Sequence, residues 1–103
     1  MKSTQKSVNG TSFHGDVFHA SVNELKKILG TPVNSDNSGQ GKVNFEWEME
    51  TEDEKPFTVY DWKEYRRLDA DEEIEWHIGG HDKTTTTTAL LEILDELEKL
   101  LVS

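Results

Sequence analysis

The chain has 103 residues, 33% hydrophobic and 31% charged, which is enough for one small domain with a modest core and too short for two. Its 21 acids and 11 bases give a net charge of −10, which excludes a generic binder of nucleic acid or anionic membrane, because both rely on a cationic surface. With no cysteine there is no disulfide, thiolate nucleophile or zinc–thiolate site.

The charge is uneven. Residues 1–41 carry 4 bases and 3 acids, a balance of +1, whereas residues 42–103 carry 7 bases and 18 acids, a balance of −11. The first residues lack the apolar core of a signal peptide, and no run approaches the roughly 18 apolar residues of a membrane span. The expectation is a soluble protein of the cytoplasm.

Residues 1–11 are polar and aperiodic and read as a flexible tail preceding a single domain over 12–103. Residues 13–20 alternate imperfectly, Phe13, Val17 and His19 against His14, Phe18 and Ala20, as in a short edge strand. Ser21 and Glu24 have capping-box spacing, Val22, Leu25, Ile28 and Leu29 follow at helical spacing, and Gly30 and Pro32 end the helix. Residues 31–42 have the composition of a loop. The period then becomes two: Val43, Phe45, Trp47 and Met49 alternate with Asn44, Glu46, Glu48 and Glu50. A charged turn leads to a returning strand over 56–65, and Ile74, Trp76 and Ile78 form a third strand that Gly79-Gly80 is expected to end. Leu90, Leu94, Leu97 and Leu101 give a broad apolar stripe on a C-terminal helix, with the threonine run 84–88 at its start. The predicted fold is α+β, in the order β-α-β-β-β-α, an antiparallel sheet with two helices packed on one face.

That arrangement leaves the other face of the sheet wet, carrying Glu46, Glu48, Glu50, Tyr60, Trp62, Glu75 and His77. Alternate residues on a strand stand about 6.6–6.8 Å apart, close to the spacing of successive phosphates on a nucleic-acid strand. Three glutamates in a row therefore imitate a short phosphate backbone for a protein built to grip one. The plainer reading is that they keep the strand soluble and unpaired. Tyr60 and Trp62 favour an interface, since aromatics anchor binding surfaces, unless strand twist turns one of them into the core.

The chemical constellations are weak. In residues 79–84 the glycines stand too late and Asp82 precedes Lys83, so no phosphate loop is formed. His77, His81 and Asp82 straddle the glycine pair without metal-ligand spacing, and nothing supplies a nucleophile or an oxyanion hole for His77 and Glu75. No enzyme, cofactor or metal is expected. The α-β-β-β-α order is shared with double-stranded-RNA-binding domains, but the basic helix start and loops they require are missing.

Ser12-Phe13-His14-Gly15, the stretch Glu24 to Pro32, Tyr60-Asp61-Trp62-Lys63-Glu64-Tyr65 and Trp76-His77-Ile78-Gly79-Gly80-His81 together resemble a group of small uncharacterised proteins encoded by tailed bacteriophages, over roughly residues 12–82. The resemblance implies an accessory protein made in the cytoplasm of an infected bacterium and assigns no residue a role. By analogy with other small acidic phage proteins, the leading expectation is a non-enzymatic inhibitor, in the manner of a DNA mimic. It would bind a basic host protein, such as a nucleic-acid-handling defence protein, through Glu46, Glu48, Glu50, Tyr60, Trp62 and Glu75, without contacting nucleic acid or membrane. A second expectation is a nucleotide-binding or sequestering protein with a site at Trp76, His77, Gly79, Gly80 and Lys83. A third is a virion or assembly component that acts as a homo-oligomer.

Overall fold

The computed structural model describes residues 1–102. Its elements are β1 (Lys2–Ser3), β2 (Ser12–Ala20), α1 (Val22–Leu29), β3 (Glu46–Glu50), β4 (Pro56–Tyr60), β5 (Ile74–Gly80) and α2 (Lys83–Val102). The five strands form one antiparallel sheet in the order β1-β3-β4-β5-β2. Both helices cover the face that bears Phe18, Ala20, Trp47, Met49, Phe57, Val59, Ile74, Trp76 and Ile78, all buried. This is the expected α+β architecture, with one strand more.

The extra strand lies in residues 1–11, where a loose tail was expected. Lys2 pairs with Glu50 and Ser3 with Met49. The Thr4 amide then donates to the Glu48 carbonyl at 3.2 Å, and Met1 packs against the core. Farther along β3, the Val33 and Asn34 amides donate to the Glu46 carbonyl and the Glu46 amide donates to Asn34. Without these segments β3 would present a row of unpaired backbone groups to solvent.

β1 and β2 lie at opposite edges of the sheet, so the chain between them has to cross it. Residues 4–11 do so as a strap on the face away from the helices. Val8 and Thr11 line one side of a cavity that Glu46, Thr58 and Tyr60 also line, while Lys6 reaches over the β3–β4 turn to donate from its ammonium to the Glu54 carbonyl.

The helix α1 begins as its sequence dictates. The Ser21 hydroxyl accepts from the Glu24 amide at 3.1 Å, and the Glu24 carboxylate accepts from the Ser21 amide at 2.9 Å, closing the capping box. The strands β3 and β4 are shorter than their patterns suggest. β3 starts at Glu46 rather than Val43, because the amides of Asn44 and Phe45 both donate to Asp61 Oδ1 at 2.8 Å instead of to a neighbouring strand. β4 stops at Tyr60 rather than Tyr65, and Lys63 and Tyr65 turn left-handed at φ 56° and 52°. Such turns break a strand.

Gly79 and Gly80 do not form the expected turn. Both are strand residues: Gly79 pairs with Thr58 and Phe13, and Gly80 with Phe57 and Ser12. A Cβ on Gly79 would lie 2.5 Å from Thr58 Oγ1, and one on Gly80 would lie 2.8 Å from Thr86 Cγ2. The pair therefore serves close packing on both faces at once, the first toward the strap side and the second toward the first turns of α2.

The threonine run belongs to α2. The Asp82 carboxylate accepts from the Thr85 amide at 2.7 Å as the helix cap. Thr86 donates to buried Asp16 at 2.7 Å, Thr87 donates to it at 3.2 Å, and Lys83 Nζ stands 3.0 Å away. Burial opposes ionisation of Asp16, but the hydrogen bonds from Thr86, Lys83 and Thr87 prevail and hold its carboxyl below the usual range. This clamp sets the rotation of α2. Ala89 and Ile93 enter the core and Leu90 and Leu97 are only partly buried, while Leu91, Leu94 and Leu101 remain exposed. The stripe expected at 90, 94, 97 and 101 is thus turned partly to solvent.

Candidate functional site

The face away from the helices divides in two. On one side Glu50, 5% exposed, lies 3.9 Å from Lys2 of β1, and Thr58, 6% exposed, lines a cavity together with Val8 and Thr11 of the strap. Beyond it an aromatic cluster is open to solvent, centred on His77. The Phe13 ring stacks on His77 with centroids 4.2 Å apart, Tyr60 meets it edge-on at 5.7 Å, and Trp62 lies 6.5 Å away. Tyr60 and Trp62 also pack edge to face at 6.1 Å. Phe13 and Trp62 are exposed by 44% and 41%.

Strand register brings these rings together. Tyr60 faces His77 across β4–β5, and Val17 faces it on the other side across β5–β2. A bulge between Phe13 and Val17 swings Phe13 onto the histidine ring. Trp62 stands two residues past the end of β4 and joins the cluster from the loop that follows. The ammonium groups of Lys63 and Lys42 lie 5.5 and 5.8 Å from its ring, within cation–π range.

Glu46 pairs with Tyr60 across β3–β4 and so borders this cluster. Burial first, and then the hydrogen bond and charge of neighbouring Glu48, push the Glu46 carboxyl above its usual range. Burial and the Glu46 charge likewise push the Tyr60 hydroxyl up. Among the described residues neither Glu46 nor Glu48 has an ion-pair partner. Glu75 lies 3.6 Å from His77 and 4.0 Å from His19, and is half exposed.

Of the six residues expected to form a binding face, the structure groups Glu46, Tyr60, Trp62 and Glu75 around His77. Glu48 is half-buried beside Glu46. Glu50 is set apart from them, buried and 3.9 Å from Lys2 at the strap end of the sheet. The row of three glutamates is therefore not an exposed phosphate-like ladder. Phe13 is the member that sequence reasoning left out of the site. Its grouping with Val17 and His19 was visible, but not the strand pairing that lays it on His77.

The residues of the expected nucleotide site are dispersed. Trp76 is fully buried, Gly80 packs under Thr86, and Lys83 is held at Asp16, all on the helix side. His77 and Gly79 face the opposite way, as alternation along β5 requires. Among the described residues no group of three His, Asp or Glu side chains is arranged to hold a metal ion, and no helix is long and apolar enough to cross a membrane.

No protein-family model matches the chain, and neither the curated proteins nor the solved structures contain one detectably similar to it.

Proposed function

We propose that this chain is a non-enzymatic accessory protein that binds a basic protein and blocks it, using the half of its sheet face that carries Phe13, Tyr60, Trp62, His77, Glu46 and Glu75. One observation carries the reading: four rings form a continuous cluster at the surface, two of them more than 40% exposed, with carboxylates bordering it. Large aromatics at the centre of a patch with a charged rim are the usual anatomy of a binding hot spot. The net charge of −10 supports a basic partner. Through the resemblance read in the sequence, that partner belongs to the cytoplasm of a bacterium infected by a phage. Phosphate mimicry recedes as the mode of recognition, since Glu50 is withdrawn from the row, and aromatic anchoring takes its place.

The test uses the full chain as bait in a bacterial lysate, beside a Trp62→Ala variant whose melting curve matches the original. A basic protein is expected to be retained by the original, released by rising salt, and lost from the variant. Equal retention by both baits would place the interface elsewhere.

A second reading has its own observation. Leu91, Leu94 and Leu101 lie exposed along α2, and a second copy of this chain suits them. The first turns of α2 carry no acid up to Leu91, while its later turns hold Glu92, Asp95, Glu96 and Glu98. An antiparallel pair of helices would therefore set acidic turns against neutral ones. Sedimentation equilibrium at micromolar concentration should then show a dimer that Leu94→Glu converts to monomer. A monomer before the substitution removes this reading.

A further inference from the structure

A cavity of about 260 Å³ opens on the sheet face between the strap and the aromatic cluster. Val8, Thr11 and Ser12 wall it on the strap side, Val43 and the Tyr60 and Trp62 rings on the other, and Thr58 and Gly79 form its floor. Glu46 is the one ionisable carboxylate in the lining. The volume falls below the roughly 300–1,000 Å³ of sites for drug-sized ligands and cofactors, so it suits one side chain better than a nucleotide.

The lining specifies the charge of that side chain. Aromatic rings attract cations through their faces, and Trp62 already draws Lys63 and Lys42 to within 6 Å. Neither lysine forms an ion pair with Glu46, whose carboxylate sits next to that of Glu48 with no base to compensate it. A cation delivered into the cavity would gain a carboxylate acceptor in a partly desolvated place and relieve the repulsion between the two glutamates. Guanidinium fits better than ammonium. It is planar, so it can stack on an indole or phenol ring while its edge donates to a carboxylate, and it is the more weakly hydrated of the two. Gly79 keeps the floor open. A side chain there would collide with Thr58 and come within 3.5 Å of the Tyr60 ring.

We infer that this cavity is a receptor slot for one arginine side chain of the protein partner, with Glu46 receiving the guanidinium and Trp62 and Tyr60 flanking it. The inference rests on the proposed binding function and names its anchor chemistry. It also explains why the strap crosses the sheet where it does, since Val8 and Thr11 supply the wall that makes a pocket of an otherwise flat surface.

Titration of the isotopically labelled full chain with N-acetyl-arginine methylamide, followed by amide and indole NMR shifts, tests the slot directly. The neutral isostere N-acetyl-citrulline methylamide serves as control. Saturable shifts are expected at Thr58, Tyr60, Gly79 and the Trp62 indole with arginine, absent with citrulline, and weakened roughly tenfold or more in Glu46→Gln, as the loss of one charge-assisted hydrogen bond implies. Equal shifts with both compounds would overturn the inference, as would shifts confined to the acidic turn 52–54 or none at the slot. If Trp62→Ala still releases the captured protein while arginine does not enter the slot, the binding face stands and the slot does not. If Trp62→Ala has no effect on capture, the interface lies elsewhere, and the aromatic face, slot included, is not the binding site.

Discussion

Trp76→Ala is expected to cost about 3–5 kcal/mol of unfolding free energy, the usual range for removing a fully buried large aromatic. Trp76 is completely enclosed, packs edge to face on Trp47 with centroids 5.6 Å apart, and donates its indole N–H to the Ala20 carbonyl at 2.8 Å. The substitution removes those contacts, leaves a cavity at the centre of β5 and strands a buried carbonyl of β2. A domain of this size has about 5–15 kcal/mol in total, so the variant should melt far below the original or fail to fold. Trp76→Phe keeps most of the volume and should lose only about 1–3 kcal/mol, chiefly through the missing hydrogen bond. Urea denaturation followed by far-ultraviolet circular dichroism measures both. A loss below about 1 kcal/mol for the alanine variant would mean that Trp76 is not a core residue, which is what a ligand site at the glycine pair would require.

Asp61→Ala is the second large effect, at about 2–5 kcal/mol. Asp61 is 1% exposed, and its Oδ1 accepts from the amides of both Asn44 and Phe45 at 2.8 Å. Asn44 in turn accepts from the Gly39 amide and donates to the Arg66 carbonyl. One carboxylate thus joins the loop before β3 to the loop after β4. Alanine would leave two buried amides unsatisfied, each costing about 1–3 kcal/mol. Asp61→Asn retains a carbonyl acceptor at the same place and should lose clearly less. Because Trp62 is the next residue, the alanine variant should also disturb the Trp62 indole resonance, whereas Asp61→Asn should leave it near its original position. If both variants were equally destabilised, the buried charge would matter more than its two acceptor bonds.

The strands were legible because one face is apolar and the other is not. The run of alternation from Phe45 to Glu50 and again from Ile74 to Ile78 fixes which side chains enter the core, and a shift of one residue would have put Trp47 and Trp76 in water. The capping box was legible because its signal is local, two side chains three residues apart. The strap was not. Residues 4–11 are polar and aperiodic, and what holds them is the unpaired edge of β3 and the surface of the sheet, neither of which exists until the chain has folded.

Long-range polar contacts hid the rest. Nothing near Asp61 in sequence announces that it will take the amides of Asn44 and Phe45, yet that contact is what shortens β3. Nothing near the threonine run announces Asp16, 70 residues earlier than Thr86, yet that contact turns the leucines of α2 outward. The exposure of Tyr60 and Trp62 was open in the sequence for a related reason. Strand parity places Tyr60, but Trp62 lies beyond the end of β4, where parity no longer applies. The glycine pair misled because Gly-Gly commonly marks a turn, whereas here each glycine is small for the sake of a neighbour on its own face of the sheet.

The most direct measurement of the binding surface is hydrogen–deuterium exchange on the complex that the full chain forms in a bacterial lysate, compared with the free protein. Slowed exchange is expected at residues 12–17, 58–63 and 75–79, the three segments that converge on His77, with the outer turns of α2 unchanged. Slowing along α2 around Leu91 to Leu101, with those three segments unaffected, would contradict the assignment of function to the aromatic half of the sheet.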